Sequence, residues 1–65
     1  METYTIEDAV CIADTGDAIK VEAPEFEEPQ WIPQSQVHED SEVFAKSDRG
    51  NCIVTQFFAE KKGWV

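Results

Sequence analysis

Residues 3–14, "TYTIEDAVCIAD", alternate in character, and that alternation commits the start of the chain to a sheet with one buried face. Tyr4, Ile6, Val10 and Ile12 fall on one parity, while Thr3, Thr5, Glu7, Ala9 and Cys11 fall on the other. Successive side chains of a strand point to opposite faces, so a period of two marks a half-buried strand. Asp8 interrupts the apolar parity, which predicts a bulge or a break near Glu7-Asp8. "DTGD" then offers turn residues, and "AIKVEA" resumes the alternation with Ile19 and Val21 inward, Lys20 and Glu22 outward. Two such runs around a Gly-containing turn predict a β-hairpin.

The segment "PEFEEPQ" reads as a loop, because each proline lacks a backbone donor and holds its predecessor in an extended conformation. Phe26 sits there among Glu22, Glu25, Glu27 and Glu28. Its ring either folds back as a lid on the core or stays outside as an anchor, and a small domain short of core favours the lid. "QWI" predicts a short strand ended by Pro33, with the Ser35 hydroxyl satisfying the turn that follows. Trp31, held between Pro29 and Pro33, is either a large part of the core or an exposed anchor of the kind found at binding hot spots. The same shortage of core favours burial.

"SEVFAKSDRGNCIVTQ" predicts a second hairpin, with Val43, Phe44 and Ala45 on one arm and Cys52, Ile53 and Val54 on the other. Asp48 and Arg49 suit the centre of a type I turn, and Gly50 the left-handed position after it. The C-terminus predicts a two-turn helix over Gln56–Lys62. Thr55 supplies its cap, Gly63 its left-handed stop, and Lys61 and Lys62 face the negative end of the dipole. Trp64 is placed to pack over Phe58 and Ala59, and either Phe57 or Phe58 must dock so short a helix on the sheet. The expected fold is α+β, a single small acidic domain over residues 1–65. Its sheet is an antiparallel meander or barrel-like arrangement of four to five short strands, with one short C-terminal helix.

A chain of 65 residues buries only about 60% of its unfolded surface. Enzymes need a walled cleft of roughly 300 Å³ or more, which few chains of this size build, so no enzymatic activity is expected. Motifs agree. Ser35 lacks a Gly-x-Ser-x-Gly context, no Gly-rich phosphate loop exists, and His38-Glu39-Asp40 reads as a solvated turn rather than a ligand set. No cofactor and no metal is expected. Cys11 and Cys52 lack paired metal or redox spacing and read as buried small hydrophobes, a disulfide being the minor alternative.

Charge is the strongest functional signal. The net charge is −9, and residues 1–42 carry twelve acids against Lys20 alone, whereas residues 43–65 carry a net +2. Nucleic acid needs Lys and Arg to displace counterions, so direct binding is not expected. The excess of acid is accounted for first by solubility of a small domain, the sharper alternative being that it steers the chain to a basic protein surface. "METYTIEDAV" has no basic n-region or apolar h-region, and no run approaches the roughly 20 apolar residues of a membrane span. The expected location is the cytoplasm, with no membrane partner.

At "WIPQSQV" and "VTQFFAEKKGW" the chain resembles small uncharacterised proteins of bacterial viruses and prophages. In these a strand ending in a Trp-Ile-Pro-x-Ser-Gln-like turn leads to a last strand and an "AEKKG" helix. The matching residues are Trp31, Ile32, Pro33, Ser35 and Gln36, then Ala59, Glu60, Lys61, Lys62 and Gly63. Residues 1–12 and Pro24–Pro29 stand outside the pattern. No catalytic residue transfers. The resemblance implies a viral or mobile-element product acting inside a bacterial host. Such acidic proteins often block a host protein's nucleic-acid site, as a DNA mimic or in the manner of inhibitors of CRISPR defence complexes. The expected contacts with a basic host protein are Glu22, Glu25, Phe26, Glu27, Glu28, Glu39, Asp40 and Glu42. The alternative is an accessory or structural phage protein whose acidity serves solubility.

Overall fold

The computed structural model describes residues 2–65. Four strands, β1 (Thr3–Asp14), β2 (Ala18–Glu22), β3 (Gln30–Pro33) and β4 (Arg49–Thr55), form one antiparallel sheet, followed by helix α1 (Gln56–Lys62). The order across the sheet is β3-β2-β1-β4. Three strands run as a meander and the fourth returns beside the first, which is Greek-key order. The sheet curls into a half-barrel, and an isolated bridge between Val37 and Val54 ties the connecting segment to the free edge of β4. The α+β class, the strand number and the terminal helix agree with the expectation from sequence.

The break at Asp8 is a bulge. Pairing of β1 with β4 shifts register between Ile6 and Ala9, and Asp8 adopts φ 54°. One extra residue in a strand exchanges the two faces beyond it. Ile6 is therefore followed inward by Ala9 and Cys11, both buried, whereas Val10 and Ile12 move to the outer face and are half-buried. The simple parity that grouped Val10 and Ile12 with Ile6 is thus corrected by the bulge itself. β2 follows its pattern, with Ile19 and Val21 fully buried.

The second hairpin does not form. Residues 43–45 are not a strand, and β4 pairs with β1 instead. Three consecutive apolar residues carry no period-two signal, and only Val43 enters the core. The turn lies earlier than predicted, where the Asp48 carboxylate accepts from the Phe44 and Ala45 amides (both 3.0 Å) and Ser47 takes φ 81°. Arg49 consequently begins β4 rather than centring a turn. Gly50 lies inside β4 opposite Ala9, at φ 135°. A Cβ there would stand 2.6 Å from Glu42 Oε1, so glycine is required by backbone and by space.

Segment 37–43 runs along the outer edge of β4 without becoming a strand. The His38 N–H donates to the Ile53 carbonyl (2.7 Å) and the Glu42 N–H to the Asn51 carbonyl (2.9 Å). In return, the Asn51 N–H donates to Glu42 Oε1 (2.8 Å) and the Ile53 N–H to Ser41 Oγ (3.1 Å). Ser41, 7% exposed, also accepts from the Val43 N–H at 3.1 Å. This is the hydroxyl that satisfies the crossover. Ser35, expected to satisfy the turn after Pro33, is exposed within a single 3₁₀ turn (Gln34–Gln36) that is closed by the backbone bond from the Val37 N–H to the Gln34 carbonyl.

Helix α1 follows its signals closely. Thr55 Oγ1 accepts from the Phe58 N–H (3.2 Å), and Gly63 takes φ 78°. The Gly63 N–H donates to the Glu60 carbonyl (3.1 Å) and the Trp64 N–H to the Ala59 carbonyl (2.9 Å), a Schellman stop. Phe58 docks the helix, while Phe57 is exposed. The fully buried core holds no aromatic ring: its largest members are Ile6, Ile19 and Ile32. Trp31 is 46% exposed on the outer face, opposite Lys20, whose Nζ lies 5.8 Å from the ring centre. Ile32 takes the inward place facing Ile19, so strand geometry forces its neighbour out and overrides the argument from size.

Candidate protein-docking surface

The Asp8 bulge and the loop after β2 together make an open groove at one end of the sheet. Its larger recess, of about 320 Å³, is lined by Asp8, Val10, Glu22, Phe26, Glu27 and Glu28, together with Ala23, Pro24 and Pro29. A second recess of about 270 Å³ shares Asp8 and Val10 and extends to Arg49 and Gly50 on β4. Each wall has a local cause. Cross-strand pairing sets Val10 opposite Glu22 and Arg49, making Val10 the floor between them. Pro24 and Pro29 stiffen the loop, and the Phe26 N–H donates to the Ala23 carbonyl (3.0 Å), turning it back toward the sheet.

Four carboxylates therefore surround an apolar floor. Among the described residues no Lys or Arg nitrogen lies within 4.0 Å of any carboxylate, and the one short cation–carboxylate approach is His38 to Asp40 at 3.6 Å. Even there, His38 Nδ1 accepts the Asp40 N–H (3.1 Å) and has no proton to offer the carboxylate in that geometry. None of the groove's acids is thus held in an ion pair within the chain, the nearest base in the fold being Arg49 across Val10. All four are exposed, and an exposed ion pair with a partner's cation contributes about 0–1 kcal/mol after screening.

Of the residues singled out from sequence, Glu22, Phe26, Glu27 and Glu28 come together in the groove. Phe26 is half-buried, folded back as the lid reading expected. Glu25 is turned to the other side of the loop, where it accepts from the Tyr4 hydroxyl at 2.5 Å. That bond, with lesser help from burial and from the Glu25 charge, holds the Tyr4 phenol above its ordinary range. Glu39 and Asp40 are exposed in the turn after the 3₁₀ segment and do not line the groove. Glu42 is occupied in capping Asn51, behind Gly50. Asp8 is the member that sequence reasoning missed as a site residue. Its signal was visible, since an acid in the apolar parity of a strand needs somewhere to point.

Cys11 and Cys52 are free thiols, both buried, and burial pushes both above the ordinary thiol range. A buried thiol that resists ionisation is a packing residue rather than a nucleophile. Among the described residues no group of three or more His, Cys, Asp or Glu side chains is arranged to hold a metal ion. Among the described residues no helix is long and apolar enough to cross a membrane. No protein-family model, curated protein or solved structure matches the chain.

Proposed function

We propose that this chain is a protein-binding protein of viral or mobile-element origin that blocks a basic, nucleic-acid-binding surface of a host protein. The observation that carries the proposal is the groove, where Asp8, Glu22, Glu27 and Glu28 surround an apolar floor and, among the described residues, none is in an ion pair with a Lys or Arg, Arg49 standing across Val10. A partner's Arg or Lys is the complement: its methylene stem lies on Val10 and Phe26 while its charged head meets the carboxylates. The sheet holds Asp8 and Glu22, and the loop after β2 brings Glu27 and Glu28 beside them. The reading takes the acids as contacts with protein, and it assigns no catalysis, cofactor or membrane partner.

A second reading has its own observation. Asp14, Asp17, Glu39 and Asp40 are exposed at turns away from the groove, where acids serve solubility whatever the chain binds. An accessory phage protein would need nothing more. The two readings separate on one experiment. The immobilised chain is offered a bacterial lysate at low salt, retained proteins are eluted with a salt gradient, and duplex DNA is added as competitor. The blocking function expects a nucleic-acid-binding protein that leaves steeply with salt, because exposed charges are screened beyond about 8 Å at physiological ionic strength. It also expects DNA to displace the chain. Retention that ignores both salt and DNA would refute it.

A further inference from the structure

We infer that Tyr4 and Trp64 form an aromatic clasp that positions the acidic loop 23–29, so that the end of the chain sets the shape of the groove. Trp64 stands at the centre of the contacts. Its ring centre lies 4.9 Å from that of Phe26 in the loop, 5.5 Å edge-on from Phe58 in α1, and 6.1 Å from Tyr4 in β1. The Schellman stop at Gly63 fixes where that ring sits, through the Trp64 N–H bond to Ala59. Tyr4 adds the second attachment, its hydroxyl donating to Glu25 Oε2 one residue before Phe26. Loop 23–29 has one backbone bond of its own between non-strand groups, from the Phe26 N–H to the Ala23 carbonyl. Two prolines stiffen such a loop but do not say where it lies. The ring contacts and the Tyr4–Glu25 bond do, and they set Phe26 as a wall of the groove. Tyr4 and Trp64 are positioning residues, since neither lines the groove.

The use of the clasp in docking rests on the proposed function; its existence does not, and the test keeps the two apart. Amide exchange is followed in the full chain for Phe26 in the loop and for Val21 and Cys52 in the sheet, in Tyr4→Phe, Trp64→Leu and Trp64→Phe variants. Tyr4→Phe removes one hydroxyl and keeps the ring. It is expected to speed exchange at Phe26 about tenfold, the effect of one hydrogen bond to a charged acceptor, while Val21 and Cys52 exchange as before. Trp64→Leu is expected to loosen Phe26 at least as much, and Trp64→Phe to restore most of the protection. Unchanged exchange at Phe26 in Tyr4→Phe and Trp64→Leu overturns the clasp. So does acceleration of Val21 and Cys52 by the same factor, which would make the aromatic cluster a part of global stability only. Should Trp64→Leu fail to fold, Tyr4→Phe decides alone. The docking use is read separately, by titrating the wild-type chain with a nona-arginine peptide. Shifts gathered at Asp8, Val10, Glu22 and Phe26 support it, and shifts spread evenly over all acids overturn it without touching the clasp.

Discussion

Ser41→Ala is the sharpest test of how the half-barrel is held closed. The hydroxyl accepts from two backbone amides, Val43 and Ile53, each at 3.1 Å, and its single proton goes to the Val43 carbonyl (3.3 Å) or the Asn51 carbonyl (3.5 Å). Alanine leaves both amides without a partner. A buried donor left unsatisfied costs about 1–3 kcal/mol. The Val43 site is buried and merits the middle of that range, while the Ile53 site is part-buried and merits the low end. The expected loss is about 2–3 kcal/mol. A domain of 65 residues has a total of about 3–10 kcal/mol, so this single oxygen carries a large share. A loss of 1 kcal/mol lowers Tm by about 4–8 °C at this size, giving an expected drop of about 10–20 °C. Thermal and urea melts followed by circular dichroism measure it, with Ser35→Ala as control. Ser35 is exposed, and its variant is expected to stay within about 0.5 kcal/mol of wild type. If Ser41→Ala melts like the control, side-chain capping of β4 is not what closes the fold.

Gly63→Val is expected to cost about 1 kcal/mol or more in urea unfolding, because a β-branched residue resists φ 78°. Ile32→Ala is expected to cost about 2–5 kcal/mol and Trp31→Ala well under that; the opposite ranking in the same assay would reverse the assigned faces of β3. Tyr4, Cys11 and Cys52 are all shifted upward in the folded chain, so the fold favours their protonated forms. Their contribution is fully present below the ordinary thiol and phenol ranges and is lost as pH rises through the folded values; the urea midpoint is expected to fall from about pH 9 upward, and a midpoint flat to about pH 10.5 would contradict this. Reversing Glu27 and Glu28 to Lys is expected to slow association with a basic partner in stopped flow while leaving Tm nearly unchanged, since both are exposed.

What could be read from sequence was what is local. The turn at Asp14–Asp17, the bulge at Asp8, the Thr55 cap and the Gly63 stop each depend on residues within a few positions of one another. Their chemistry allows few alternatives. The pairing of β4 is different in kind. A neighbour in sequence, Val43–Ala45, and a distant strand, β1, compete for the same edge, and only the assembled core decides between them. Trp31 shows a second limit. Its size argued for burial, but Ile32 beside it was equally apolar, and a strand can turn only one of two neighbours inward. The groove was half visible: Glu22, Glu27 and Glu28 stood in one acidic run, while Asp8 reaches them only because the bulge turns it there. Ser41 was hidden because its local bond to the Val43 amide is one any turn serine can make, while the amide of Ile53, twelve residues on, reaches it only in the assembled fold.

The covering of β4 also bears on how the protein behaves when crowded. An uncovered strand edge is a template on which another chain can pair, and six or seven residues of apolar, uncharged sequence are enough to seed a fibril. "NCIVT" in β4 is an apolar, uncharged segment at an edge of the sheet, and its outward polar groups at Asn51 and Ile53 are already taken by His38, Ser41 and Glu42. The opposite edge, β3, is four residues long with Pro29 before it and Pro33 at its end. Loss of the Ser41 hydroxyl therefore does more than weaken the fold. It frees the Ile53 amide on that edge and loosens its cover, and turbidity in concentrated Ser41→Ala samples held below their melting temperature would be its first sign.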